Sequence, residues 1–309
     1  MPVDEYFTEM HAAWERATAA VPETERGEMI GPFIDRYTAS ARPVDATGVA
    51  VEDTAIDGPH GPIGLRTYTP EGPLAGSLLW AHGGGFLSGD LDMLEGHMVS
   101  MELARRARVA VVSVDYRLAR DGVRHPVPID DVHAAWNWWS DREPHRGLPR
   151  AIGGASAEGA LAAAAAMRLR DEGERLPEAL LLAYPWMHFP VPALTPSLSA
   201  EMTAVPWRFD PLGLEWAVRN YVGRTSDLPP DALPGAGRLD GLPPARIVVS
   251  EYDDLRPSAE LFERQLAEAG VAVESYVAAG MTHGHLNHPA SVPEVGRSLD
   301  FLASGWAAS

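Results

Sequence analysis

Short apolar runs alternate with amphipathic stretches along most of this chain. Leu78–Ala81, Val109–Val114, Ala179–Tyr184 and Arg246–Val249 have the length and continuity of buried strands. Between and after them, Met93–Arg108, Asp130–Trp139, the alanine-rich run after Ser156 and Pro257–Ala269 carry helical signals. Gly270 closes the last of these, before a final strand, Val271–Val277, and a final helix, Val295–Trp306. Near the front, Val49–Val51 and Leu65–Tyr68 flank the turn-rich Asp57-Gly58-Pro59-His60-Gly61-Pro62, a hairpin-like antiparallel start. Strands alternating with helices predict an α/β fold whose mostly parallel central sheet is covered on both faces. Trp136 and Trp139 share one helical face and are expected in the core.

Two stretches stand outside that alternation. Val3–Ala20 places Phe7, Met10, Trp14 and Ala17 at helical spacing, and a second amphipathic piece runs from about Glu25 to Ser40. The segment from His188 to about Asp231 is rich in proline and aromatics and is longer than an ordinary crossover. The pattern predicts a helical cap made of residues 1–45 and 188–231, over a core made of residues 46–187 and 232–309.

Composition narrows the function. The 309 residues suffice for one large core or two modest ones. The net charge is −18 and every basic residue is Arg, so the surface repels nucleic acid phosphates and anionic lipid. There is no cysteine, which excludes disulfides and thiolate chemistry. No apolar run has the length of a membrane span, and the acidic N-terminus lacks the pattern of a signal peptide. The expected setting is the cytoplasm, with no nucleic-acid or membrane partner; a homo-oligomer is left open, since nothing in the sequence fixes the oligomeric state.

Four segments carry candidate chemistry. Ile152-Gly153-Gly154-Ala155-Ser156-Ala157-Glu158-Gly159 reads as strand, sharp turn and helix, the setting that turns a serine into a nucleophile. The bland alternative is a serine capping a helix. His82-Gly83-Gly84-Gly85-Phe86 follows a strand, and its glycines let backbone N–H groups approach a developing oxyanion. A phosphate-binding loop would need a Gly-Lys-Ser/Thr ending that is missing. Glu251-Tyr252-Asp253-Asp254 ends another strand, where an acid can reach a site at the carboxyl edge of the sheet. Of the two aspartates, Asp253 is assigned as the acid and Asp254 is left to cap the next helix. Gly280-Met281-Thr282-His283-Gly284-His285 supplies a candidate base. His283 and His285, with His288 nearby, also raise a metal reading, but an HxH pair without a matched third ligand is weak.

Together these segments resemble the bacterial hormone-sensitive-lipase family of α/β-hydrolases. The likeness rests on His82–Phe86, Asp115-Tyr116-Arg117-Leu118-Ala119, the Ser156 elbow, Asp253-Asp254-Leu255-Arg256 and the His283 loop, spanning about Val49 to Trp306. It implies an α/β-hydrolase fold with a helical cap, and hydrolysis of small-molecule carboxylic esters with no cofactor and no metal. Ser156 would be nucleophile, His283 base and then acid, and Asp253 the residue that orients the imidazole. The N–H groups of Gly83, Gly84 and Ala157 would form the oxyanion hole. His82, Asp115 and Arg117 would be structural. Phe86, Trp186, Met187, Trp207, Phe209 and Leu286 would line a pocket suited to short or medium acyl esters.

Three positions depart from the family pattern. Ala155 stands where an acidic residue is common, and the loop after Arg117 is longer than usual. Glu158 replaces the glycine two residues past the serine. Elbow geometry predicts that its side chain points back into the scaffold, where the helix dipole, an Arg partner or protonation could accommodate it. The competing functions are acyl transfer, amide or lactone hydrolysis by the same residues, or a binding protein of the gibberellin-receptor kind. The last lacks the catalytic histidine, which this chain retains.

Overall fold

A computed structural model describes residues 3–21, 33, 36–38, 44–142, 144–205 and 207–306. The predicted helix near Glu25–Ser40 lies mostly outside the described residues.

Eight strands form one sheet in the order β1-β2-β4-β3-β5-β6-β7-β8. They are β1 (Val49–Gly58), β2 (Gly61–Pro70), β3 (Gly76–Ala81), β4 (Val109–Asp115), β5 (Arg150–Ala155), β6 (Ala179–Ala183), β7 (Ala245–Tyr252) and β8 (Val273–Thr282). β1 and β2 form the expected hairpin, in which Gly58 pairs with Gly61, and β2 runs antiparallel to β4. From β4 onward every pairing is parallel. The chain is an α/β-hydrolase fold in which the sheet is mostly parallel, as the alternation of elements predicts.

Central strands are buried on both faces, and their side chains divide between two cores. Leu79 and Ala81 of β3 join a core with Ile129, Val132, Trp136, Leu161, Phe262 and Leu266. Leu78 and Trp80 face the other way, onto Leu94, Met98, Leu103, Val295 and Leu299. Period-two alternation thus feeds both layers from one strand. The first layer is built from α3 (Val127–Ser140), α4 (Ala157–Glu172) and α7 (Arg256–Glu268); the second from α2 (Leu94–Ala107) and α8 (Pro293–Ala303). Trp136 and Trp139 are both buried, as their helical face predicts.

Outside the layers, α1 (Glu5–Thr18) starts at Asp4, whose carboxylate accepts the Tyr6 N–H at 2.9 Å. Its inner face is Phe7, Met10, Trp14 and Thr18, with Thr18 taking the place expected for Ala17. It docks near the end of β8: Asp4 N–H donates to Gly280 O at 3.0 Å, and the Tyr6 hydroxyl bonds His288 Nδ1 at 3.2 Å. The 188–231 segment holds α5 (Pro196–Glu201) and α6 (Pro211–Val222) between β6 and β7. Both helices carry Pro in the first turn and a side-chain cap, from Thr195 and Asp210 respectively.

Candidate active site

Four parallel strands end at the same edge of the sheet, and the first residue past each belongs to one of the four motif segments. His82 follows β3, Ser156 follows β5, Asp253 follows β7 and His283 follows β8. The last strand runs further than its apolar pattern suggests, to Thr282 in place of Val277, and so delivers His283 directly to that edge.

Ser156 sits between β5 and α4 with φ of 56° and ψ of −127°. That backbone is costly for a residue with a side chain, and it holds the hydroxyl clear of the strand. The turn is possible because Gly154 lacks a Cβ, which would lie 2.6 Å from Glu158 O. Ser156 Oγ is 2.8 Å from His283 Nε2, and His283 Nδ1 is 2.7 Å from Asp253 Oδ2. Asp253 is almost fully buried, and its other oxygen accepts the Leu255 N–H at 2.8 Å. Burial pulls the imidazole of His283 down, but the Asp253 carboxylate outweighs it, with Glu95 and Asp254 adding to the rise. The net shift is upward, which makes His283 a stronger base than a free imidazole.

Asp254 does not cap the helix. It pairs with Arg208 at 2.6 Å and accepts the Phe209 N–H at 2.9 Å, tying the 188–231 segment to the end of β7. Phe209 consequently packs edge-on against the His283 ring, with centroids 4.8 Å apart. It also lines a cavity of about 320 Å³ with Phe189, Leu194 and Leu214.

The glycine loop is held differently from its expected form. Gly83 N–H is donated to Glu95 Oε2 at 2.6 Å. One proton cannot serve both that carboxylate and an oxyanion, so Gly83 drops out of the expected set. Among the described residues, the N–H groups of Gly84, Gly85 and Ala157 have no protein acceptor. Gly84 must be glycine, because with φ of 146° its Cβ would lie 1.8 Å from Ser88 O.

Glu95 is the residue the sequence reading missed. It is fully buried, and besides Gly83 it accepts from the Tyr184 hydroxyl and from Asn287 Nδ2 at 3.2 Å. Burial raises its carboxyl pKa, opposed by the Tyr184 hydrogen bond, His283 and Gly83. The one signal available was an acidic residue opening the helix after the glycine loop. Nothing local distinguishes that from ordinary first-turn helix chemistry.

Glu158 points into the scaffold, as elbow geometry predicts, and has no Arg partner among the described residues. Its Oε1 accepts the Phe86 N–H at 2.9 Å and the Tyr116 hydroxyl at 2.8 Å. Burial pushes its pKa up to about 8. His82 braces the loop: Nδ1 lies 2.9 Å from Gly83 O and its ring stacks on Tyr116 at 4.8 Å. Arg117 holds Asp131 and Pro62 O beneath the turn.

The expected pocket residues divide. Phe86, Trp186, Met187 and Leu286 are buried in the two cores, with Phe86 stacked on Tyr221 at 4.0 Å. They do not face open space, so their pocket assignment is corrected to packing. Trp207 packs against Trp14 and His11 of α1, and Phe209 borders a cavity. The three histidines do not converge. His285 is buried between Ser250 and Ser298, at 2.9 and 3.0 Å, and His288 faces Tyr6.

The sequence pattern of the α/β-hydrolase fold family matches residues 78–287, about two thirds of the chain. The chain belongs to that family. Esterase LipI of Mycobacterium tuberculosis is 38% identical over 261 residues, covering 79% of this chain and 77% of LipI. Ethyl acetate hydrolase of Pseudomonas putida is 30% identical, covering 80% and 78%. Among solved structures, the hyperthermophilic esterase of the archaeon Pyrobaculum calidifontis superposes with a TM-score of 0.80 at 28% identity, covering 99% of this chain and 98% of that one. These likenesses bear out the hormone-sensitive-lipase resemblance read from the motifs. No described helix is long and apolar enough to cross a membrane.

Proposed function

We propose that this α/β-hydrolase is a serine carboxylesterase that works through a covalent acyl-enzyme, with Ser156, His283 and Asp253 as its triad. The observation that carries the reading is the unbroken line Ser156 Oγ–His283 Nε2 and His283 Nδ1–Asp253 Oδ2, at 2.8 and 2.7 Å. Its esterase relatives support the same chemistry.

In the first half-reaction, Ser156 Oγ attacks the ester carbonyl as His283 Nε2 takes its proton. Asp253 stabilises the imidazolium that forms. The carbonyl oxygen becomes an oxyanion, which the N–H groups of Gly84, Gly85 and Ala157 receive. Collapse breaks the bond to the alkoxy oxygen, and His283 returns the proton to the departing alcohol. Water, deprotonated by His283, then attacks the acyl-serine; the carboxylic acid leaves and Ser156 regains its proton.

Helix α1 and the described part of the 188–231 segment act as the cap over this edge. Phe209, which packs on the His283 ring, also borders a cavity of about 320 Å³ walled by the 188–231 segment and Asp254; a space of that size adjoining the triad suits short- and medium-chain acyl groups. The acidic surface fits small uncharged substrates in the cytoplasm, away from nucleic acid and anionic membranes. A panel of p-nitrophenyl esters from two to sixteen acyl carbons tests the reading. Highest kcat/KM at about two to eight carbons is the expected profile. A profile rising to the longest chains would contradict the substrate class, and no turnover of any ester would remove the function.

A further inference from the structure

Phe86 closes the glycine loop in a conformation that an aromatic residue avoids. Its φ is +67°, in the left-handed region, where bulky side chains are strained. Three contacts hold it there. Its N–H donates to Glu158 Oε1 at 2.9 Å, its carbonyl accepts the Ala119 N–H at 2.7 Å, and its ring stacks on Tyr221. Of these only the Glu158 bond reaches back to the nucleophile. Glu158 lies in the first turn of α4, two residues past Ser156 and one past Ala157. The same carboxyl oxygen takes the Tyr116 hydroxyl, which is also 3.2 Å from His82 O at the other end of the loop.

We propose that Glu158 is a positioning residue for the oxyanion hole, a strut that ties the nucleophile helix to the Phe86 end of the glycine loop. The inference rests on the triad reading above and adds to it. The hole's donors come from two separate segments, Ala157 on the helix and Gly84–Gly85 on the loop. Donors aimed at a developing charge work only when their spacing is fixed before the reaction. Glu95 fixes the loop at Gly83, before the free N–H groups, and Glu158 fixes it at Phe86, just after them. A side chain at this position therefore does what a glycine cannot: it joins the two donor segments directly.

The carboxyl is compatible with this role because it is neutral over much of the working range. Burial raises its pKa to about 8, against the hydrogen bonds from Tyr116 and Phe86. The ionisable groups facing it are Tyr116, Tyr221 and Glu95. Both phenols are pushed well above their ordinary range by burial, so they stay neutral. Oε2 is buried without a partner, which the neutral acid tolerates better than a carboxylate does. Glutamine reproduces the neutral acid in shape and keeps the accepting Oε1.

The test is steady-state kinetics on p-nitrophenyl butyrate for the full chain and for Glu158→Gln, Glu158→Ala and Glu158→Gly. At pH 7 the strut predicts that Glu158→Gln keeps kcat within about threefold. It predicts that Glu158→Ala and Glu158→Gly lose roughly 10- to 100-fold in kcat, with KM changed less than about threefold, a part of the loss expected for a missing oxyanion donor. An alanine or glycine variant as fast as the parent, or faster, would overturn the proposal. So would a glutamine variant as slow as the alanine one. If neither truncation folds, Glu158→Met decides, because it fills the same volume and cannot replace the carboxyl as acceptor for the Phe86 N–H and the Tyr116 hydroxyl. It should lose kcat roughly 10-fold or more with KM nearly unchanged, while Glu158→Gln does not. A methionine variant as fast as the glutamine one would overturn the strut. Failure of the unaltered chain to turn over the ester would instead strike the esterase reading itself.

Discussion

The proposed triad and the glycine loop sit at the same edge of the sheet, yet they are held by different means. Ser156, Asp253 and His283 each occupy the first position after a parallel strand, so the sheet itself aims them. The glycine loop leaves β3 at His82, but its free N–H groups, at Gly84 and Gly85, lie beyond the end of that strand. It is pinned at Gly83 and Phe86 by the carboxyls of Glu95 and Glu158, which arrive from two different helices. The attacking groups and the Ala157 donor are thus placed by backbone topology, and the Gly84–Gly85 donors by buried side chains. Damage to the first should abolish turnover; damage to the second should weaken turnover and stability together.

That contrast can be broken most severely at the nucleophile. Ser156→Ala should lower kcat by roughly 10⁴- to 10⁶-fold on any ester while leaving the melting temperature nearly unchanged. A residual rate above one hundredth of the parent would mean that another group attacks.

Asp253→Asn comes next, at about 10⁴-fold in kcat, because the amide no longer supports the His283 tautomer and imidazolium. The pH profile sharpens the point. Since His283 is raised above its ordinary value of 6.5, kcat/KM of the unaltered chain should fall as pH drops through that raised pKa, where the imidazole is already protonated. Removing the Asp253 charge leaves burial dominant, so in the variant the acid limb should move to lower pH. A limb that stays in place would show that Asp253 does not set the base.

On the glycine-loop side, Glu95→Ala leaves the Gly83 N–H, the Tyr184 hydroxyl and the Asn287 amide without their acceptor. The expected cost is about 10²-fold in kcat and on the order of 2–4 kcal/mol of stability, read as a lower denaturation midpoint. Loss of activity with no loss of stability would argue that Glu95 touches the reaction directly.

The smallest effect belongs to the tie between segment 188–231 and β7. Asp254→Asn weakens a partly exposed pair with Arg208, which is worth less than about 1 kcal/mol. It should raise KM two- to fivefold with kcat almost unaltered, most for the longer acyl chains. An equal fall in kcat would show that Phe209 helps to orient His283 as well.

The same contrast explains what could be read from the amino-acid sequence. Ser156, Asp253 and His283 were legible because each lies in a segment that follows a predicted strand, Ser156 almost directly and the other two several residues on, and the chain order of the three segments is itself informative. The two helical layers followed from the alternation of runs, down to the burial of Trp136. Glu95 was not legible, since an acid in a first helical turn normally needs no tertiary explanation. The Gly83 assignment failed for the same reason: which N–H of a glycine run stays free depends on a carboxylate twelve positions away. Phe86, Trp186, Met187 and Leu286 failed because an aromatic or aliphatic residue near a site satisfies core and pocket equally well by composition. Glu158 was legible as an anomaly and its inward direction followed from the elbow, but its partners Phe86 and Tyr116 come from two other strand–loop units, after β3 and β4.

Covalent capture of the nucleophile tests the central claim most directly. The full chain is incubated with a fluorophosphonate at pH 7.5, digested, and the modified peptide located by mass spectrometry. The account predicts one stoichiometric adduct on Ser156, absent in Ser156→Ala and formed at least a hundredfold more slowly in His283→Ala. No adduct on the active chain, or an adduct at another residue that accompanies loss of activity, would contradict it.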